Sequence, residues 1–153
     1  VSCVEISDNC IEMTDGQRAD LVKAALDTGL EVHGEVGSKD EIADIDELIR
    51  QSEVFIEAGC DMVLFEAAEL VVAGAANVES ISRIKAAVPA HQAMIELPGP
   101  WIKDVTLNDI YEMAKQTLKI FGADANLGNV AWDQVINVEC LRQGIGIAGP
   151  HYL

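Results

Sequence analysis

The chain has 153 residues, half of them hydrophobic, and 26 acidic side chains against ten basic ones give it a formal charge of -16. Such a charge repels phosphate backbones and anionic lipid surfaces at long range, so neither nucleic acid nor a membrane is an expected partner. No apolar run nears the ~18 residues of a membrane span and no charged-then-apolar leader opens the chain, which predicts a single soluble domain over 1–153 in the cytoplasm.

The first apolar run, VEISD, carries Glu5. Thr14-x-x-Gln17 then reads as a capping box, Leu21, Val22, Ala25 and Leu26 supply an apolar stripe, and Gly29 stands where that helix would stop. A second strand, LEVHGE, carries Glu35. Ile45, Leu48, Ile49, Ser52, Phe55 and Ile56 before Gly59 predict the second helix, and MVLFEA predicts a third strand carrying Glu66. Ile81, Ile84 and Val88 suggest a shorter helix, followed by AMIELPG with Glu96. Thr106 with Asp109 opens a helix faced by Ile110, Met113, Ala114, Thr117, Leu118 and Phe121 and closed by Gly122. ADANLGN then puts Asn126 at the place the glutamates held, and a last short helix covers about Trp132 to Gln143.

Glu5, Glu35, Glu66, Glu96 and Asn126 recur at intervals of 30 or 31 residues. Alternating β and α units of that length demand a parallel sheet covered by helices. A (β/α)₈ TIM barrel needs eight such units, roughly 240 residues, whereas this chain supplies five and begins on a strand without Met. The expectation is an α/β fold, the C-terminal five βα units of a parallel TIM barrel. A complete five-stranded flavodoxin-like sheet is the alternative. Two open edges would call for further N-terminal units, or for homo-oligomers that cover the gap.

In either fold the strand C-termini are where chemistry sits. A single Glu there is ordinary, but several in register imply a counter-charge, because a buried ring of like charge is costly. Mg²⁺ accepts carboxylate and water oxygens. Lys39, just after the Val36-Gly37 turn, is the one Lys or Arg close behind a strand end in the first four units, and on spacing alone it can equally be a solvated helix-entry residue. Cys3, Cys10, Cys60 and Cys140 show no CxxC and no His-Cys spacing, so they read as reduced core residues. His33 can face the same side as Glu35 and bond a neighbouring carboxylate, or simply pack. His91 and His151 sit in loop-like surroundings.

The segments VEISDN, GLEVHGEVGSKD, EAGCDMVLFEA, IELPG and NLGNVAWDQVINVECLRQG resemble the second half of phosphosulfolactate synthases. The resemblance covers nearly the whole chain and implies strands four to eight of a (β/α)₈ lyase that adds sulfite to phosphoenolpyruvate with Mg²⁺, on the route to coenzyme M and related sulfonates. It implies Lys39 as the catalytic residue, the Lys that follows EVG, with Glu35 beside it. Asp8, Glu66 and Glu96 become the metal candidates, and Asn126 and Asn129 supply neutral hydrogen bonds to a small anionic substrate. The chain also departs from the pattern. Where the family reads like GRESGKG this chain has Ala67 to Gly74, AAELVVAG, and where it reads like RRGLRGD this chain has RQGIG. Either Arg142, the Gly99 loop and the Gly128 backbone then hold the anion or the substrate has changed, and loop 98–104, with Trp101 and Lys103, is either a lid or a rigid turn. A non-catalytic relative, like the family's plant members linked to heat-stress tolerance, and a Schiff-base aldolase using Lys39 are the competing functions.

Overall fold

The computed structural model describes residues 1–7, 11–37, 44–99 and 101–145. Among them the order is β1 (Cys3–Ile6), α1 (Asp15–Leu26), β2 (Glu31–Val36), α2 (Ile45–Ala58), β3 (Met62–Phe65), a 3₁₀ turn (Ala67–Leu70), β4 (Val71–Val72), β5 (Ala75–Ala76), α3 (Val78–Ala87), β6 (Ala93–Glu96), α4 (Leu107–Phe121), β7 (Asn126–Gly128) and α5 (Val135–Arg142). The caps act as the sequence predicts. Thr14 and Gln17 close a capping box on α1, Thr106 and Asp109 close one on α4, and Gly59 ends α2 in the left-handed region at φ 111°. The face of α1 differs from expectation: Leu21 is exposed, while Val22 and Arg18 are buried, the Arg18 guanidinium reaching Asp15 at 2.9 Å. A short antiparallel hairpin, β4–β5, is added to the strand–helix alternation after β3. Its turn places Ala73 at φ 51° and Gly74 at φ 82°, the paired positive φ of a primed two-residue turn.

The main sheet is parallel throughout, in the order β1-β2-β3-β6-β7. Spatial order follows chain order with no switch point, and α1 packs on α2, α2 on α3, α3 on α4 and α4 on α5 in one continuous layer. A flavodoxin-like sheet reverses its strand order and carries helices on both faces. The arrangement here is instead that of a partial (β/α) barrel. Side chains alternate along each strand. Val32, Val36, Val63, Phe65, Ala93 and Ile95 turn toward the helices and are buried. Gly34 belongs to that face, where a Cβ would lie 2.5 Å from the Phe55 ring of α2. Helix-facing packing thus leaves Glu5, His33, Glu35, Leu64, Met94 and Asn126 on the opposite, concave face.

Register corrects one expectation. Glu5 lies opposite His33, Glu35 opposite Leu64, and Asn126 opposite Met94. Positions equivalent in the repeat are therefore not level in the ladder, and Asn126 does not stand beside Glu96, whose partner is Gly128. The repeat marks a diagonal across the sheet, the stagger that tilted strands of a barrel require. Among the described residues, no helix is long and apolar enough to cross a membrane.

Candidate metal centre at the strand ends

Three carboxylates converge where the strands end. Glu35 is the penultimate residue of β2, Glu66 follows β3 directly, and Glu96 closes β6. One oxygen from each lies within 4.8 Å of the others. They are 6%, 0% and 6% exposed, respectively. At such spacing and an effective dielectric of 20, each ionised pair repels by about 3–4 kcal/mol. Glu35, Glu66 and Glu96 thus form an acidic cluster with the capacity to hold a divalent cation, and their all-oxygen donor set suits a hard one.

Backbone and neighbouring side chains orient the cluster. The Ala67 N–H donates to Glu96 Oε2 at 2.9 Å, and the Asn129 amide donates to Glu96 Oε1. Each oxygen keeps a further lone pair for a cation. Asn129 adopts φ 54°, a left-handed conformation that Asn tolerates better than most residues. Gly37 is the position that lets β2 end against this cluster: it has φ 117°, and a Cβ there would lie 2.5 Å from Glu66 Cβ and 2.8 Å from Glu69 Oε2. Opposite Glu96, the bare backbone of Gly128 admits the ends of Leu64 and Met94, which form an apolar floor beneath the acids.

Two acidic residues join this picture that the sequence did not mark as site residues. Glu69, buried in the 3₁₀ turn, stands one turn after Glu66, and three-residue spacing brings both to the same side. Glu5 occupies the same concave face lower down. Its side chain hydrogen-bonds Glu35, and burial together with the Glu35 and Glu96 charges pushes its carboxyl above the ordinary range, with His33 pulling weakly the other way. The 3.6- or 30-residue patterns hold no signal for Glu69, since a 3₁₀ turn has neither period. Glu5 was visible in the repeat, but its level, opposite His33 and two residues below Glu35, follows from stagger.

Other candidates fall elsewhere. Arg142 sits near the end of α5, where its guanidinium donates to the Ala123 carbonyl between α4 and β7 and approaches Glu139. That connection enters the strand N-terminus, so Arg142 is at the opposite end of the sheet from the carboxylates. Helices of a βα unit run antiparallel to the strands, and the last turn of α5 is carried to the far end. Asn126 donates its amide to the carbonyls of Ala90 and Ala93, tying the entry of β6 to β7. Gly99 is covered by Trp101, whose ring would lie 1.9 Å from a Cβ at that position, and the Ile102 N–H closes a turn on the Gly99 carbonyl at 3.0 Å. Asp8 and Lys39 lie outside the described residues.

The family model described as (2R)-phospho-3-sulfolactate synthase (ComA) matches residues 1–147. The chain belongs to that family. A phosphosulfolactate synthase of Methanocaldococcus jannaschii is 30% identical over 152 residues, covering 93% of this chain and 57% of the relative. One of Methanothermobacter thermautotrophicus is 26% identical over 153 residues, covering 93% and 55%. The chain therefore spans little more than half the length of these curated family members. A solved phosphoenolpyruvate phosphomutase from Streptomyces platensis subsp. rosaceus superposes with a TM-score of 0.56 at 15% identity, over 94% of this chain and 50% of that one. At that identity the likeness concerns the fold alone. It accords with the partial barrel seen in this phosphosulfolactate synthase family member.

Proposed function

We propose that the chain supplies the C-terminal five βα units of a phosphosulfolactate synthase-like lyase that adds sulfite to phosphoenolpyruvate, with Mg²⁺, in a cytoplasmic route to sulfonates such as coenzyme M. The convergence of Glu35, Glu66 and Glu96 at the strand C-termini, in a chain matched by this family over residues 1–147, carries the reading. Further βα units, or a second copy, would pair with the β1 and β7 edges. The exposed Trp132 and Ile136 beside β7 are apolar surface that such a neighbour would cover.

Mg²⁺, held by Glu66 and Glu96 with Asp8 or Glu35, would stabilise the negative charge that builds on the substrate carboxylate. The remaining work belongs to this chain. The sulfur lone pair of sulfite forms a bond to the methylene carbon, the π electrons of the double bond move toward the phosphate-bearing carbon, and Lys39 as ammonium delivers a proton there; the phosphate ester stays intact. Glu35, two residues before Gly37, orients that ammonium. Asn129, fixed on Glu96, and the backbone at Gly99 and Gly128 offer neutral polar contact to the anion. With Arg142 at the far end of the sheet, cationic contact falls to Lys39 and to Lys103 of the Trp101 loop.

The test uses the full-length protein with phosphoenolpyruvate, sulfite and Mg²⁺, following sulfonate formation. Lys39→Arg keeps the charge but not a tunable acid, so turnover should fall by about 10²–10⁴ while phosphoenolpyruvate binding persists. Unmutated protein that binds no phosphoenolpyruvate would overturn the substrate assignment, and unchanged turnover in Lys39→Arg would overturn the proton donor.

A further inference from the structure

At the other end of the same concave face, β1 and β2 bring together a second and chemically different set of donors. Cys3 lies directly opposite Glu31 in the parallel register, and His33, two residues along β2, points to the same side. Cys3 Sγ, one Glu31 oxygen and one His33 ring nitrogen all lie within 4.8 Å of one another. His33 Nε2 is 3.1 Å from Glu31 Oε1. The thiol and the imidazole are half-buried, and Glu31 is exposed at the rim. Sequence spacing shows no His-Cys pair, because the residues meet across a strand ladder and not along one element.

We propose that Cys3, Glu31 and His33 form a binding site for a transition-metal ion of the Zn²⁺ type, with solvent completing the coordination. Ligand atoms around a tetrahedral zinc lie about 3.5 Å apart, against a spread of at most 4.8 Å here, with His33 Nε2 and Glu31 Oε1 already 3.1 Å apart. A thiolate, an imidazole and a carboxylate together select a borderline-soft ion, and Mg²⁺ does not choose such a set. The two ends of the sheet would thus sort two metals by donor type. Burial and the charges of Glu31, Asp61 and Glu5 hold the Cys3 thiol above its ordinary pKa, so an arriving cation has to displace its proton. A divalent cation placed among those groups reverses that balance and releases the thiol proton as it binds. Cys60 makes the contrast. Its thiol is pushed up to about 12 by burial and Asp61, and it belongs to no such group of donors among the described residues.

The test is a titration of Co²⁺, then Zn²⁺, into the reduced, chelator-washed chain, read by absorbance. Co²⁺ should produce a thiolate-to-metal charge-transfer band and the intense visible bands of a tetrahedral site, one equivalent of Zn²⁺ should erase them, and saturating Mg²⁺ should leave them in place. Cys3→Ser should abolish the charge-transfer band, Cys140→Ser should keep it, and His33→Gln should weaken Co²⁺ binding by at least about tenfold. No charge-transfer band in the unmutated chain, or a band that survives Cys3→Ser, would overturn the proposal. If Cys3→Ser lost its far-UV circular dichroism, His33→Gln and Glu31→Gln would decide, and unchanged Co²⁺ affinity in both would equally overturn it.

Discussion

The upper end of the concave face holds Glu35, Glu66 and Glu96, all oxygen and almost wholly buried, whereas the lower end holds Cys3, Glu31 and His33, mixed in donor type and open at the rim. Strand β2 contributes to both, with His33 and Glu35 only two residues apart on the same face. The difference shows how a parallel sheet separates chemistries. Pleating presents alternate residues to one side, and each step of two residues moves the next donor roughly 6.5 Å along the strand, far enough for two clusters to keep distinct neighbours. At the upper cluster, Gly37 packs closely against Glu66 and against Glu69 of the 3₁₀ turn. The lower one has no such cover among the described residues.

The strongest way to break this contrast is at Gly37. Gly37→Ala imposes a side chain at φ 117° and drives a Cβ to 2.5 Å from Glu66 Cβ. Backbone strain and overpacking together should cost about 2–5 kcal/mol in denaturant unfolding. A loss within experimental error would show that the upper cluster is loosely packed.

A second experiment sharpens the contrast by metal type. If the upper cluster binds Mg²⁺, a hundredfold excess over the dissociation constant should stabilise the fold by about 2.7 kcal/mol. Glu66→Gln should remove most of that gain and leave any stabilisation by Zn²⁺ intact, while His33→Gln should do the reverse. Equal melting temperatures with and without Mg²⁺, at matched ionic strength, would mean that the carboxylates do without a cation.

The smallest effect is expected at Glu5, between the two ends. Its folded-state pKa is raised above the ordinary value near 4.5, so the fold favours the neutral acid. In the absence of metal, stability should therefore fall as pH rises through the ordinary carboxylate value, and the full loss should be present above the raised one. Glu5→Gln should melt higher than the parent at pH 7 and should lose that advantage below the ordinary carboxylate pKa. A Gln variant that melts lower at pH 7 would show that ionised Glu5 is held by a favourable partner.

Much of this was legible in the chain alone. The alternation of strand and helix, the caps at Thr14, Thr106 and Gly59, and the placing of Glu35, Glu66 and Glu96 at strand ends follow from local rules, because hydrophobic period and cap chemistry act within a few residues. The family resemblance rests on the same local segments. Other features depend on which strands pair and by how much they slip, and no single segment records that. Stagger placed Asn126 opposite Met94 and took it from the level of Glu96. Helix direction carried Arg142 to the far end of the sheet, although it lies close in sequence to the strand-end residues Gly128 and Asn129. The 3₁₀ turn buried Glu69 where no period announces it. Cys3 and His33, 30 residues apart in the chain, became neighbours only because parallel pairing sets β1 beside β2, and a ladder joins residues by register, not by spacing.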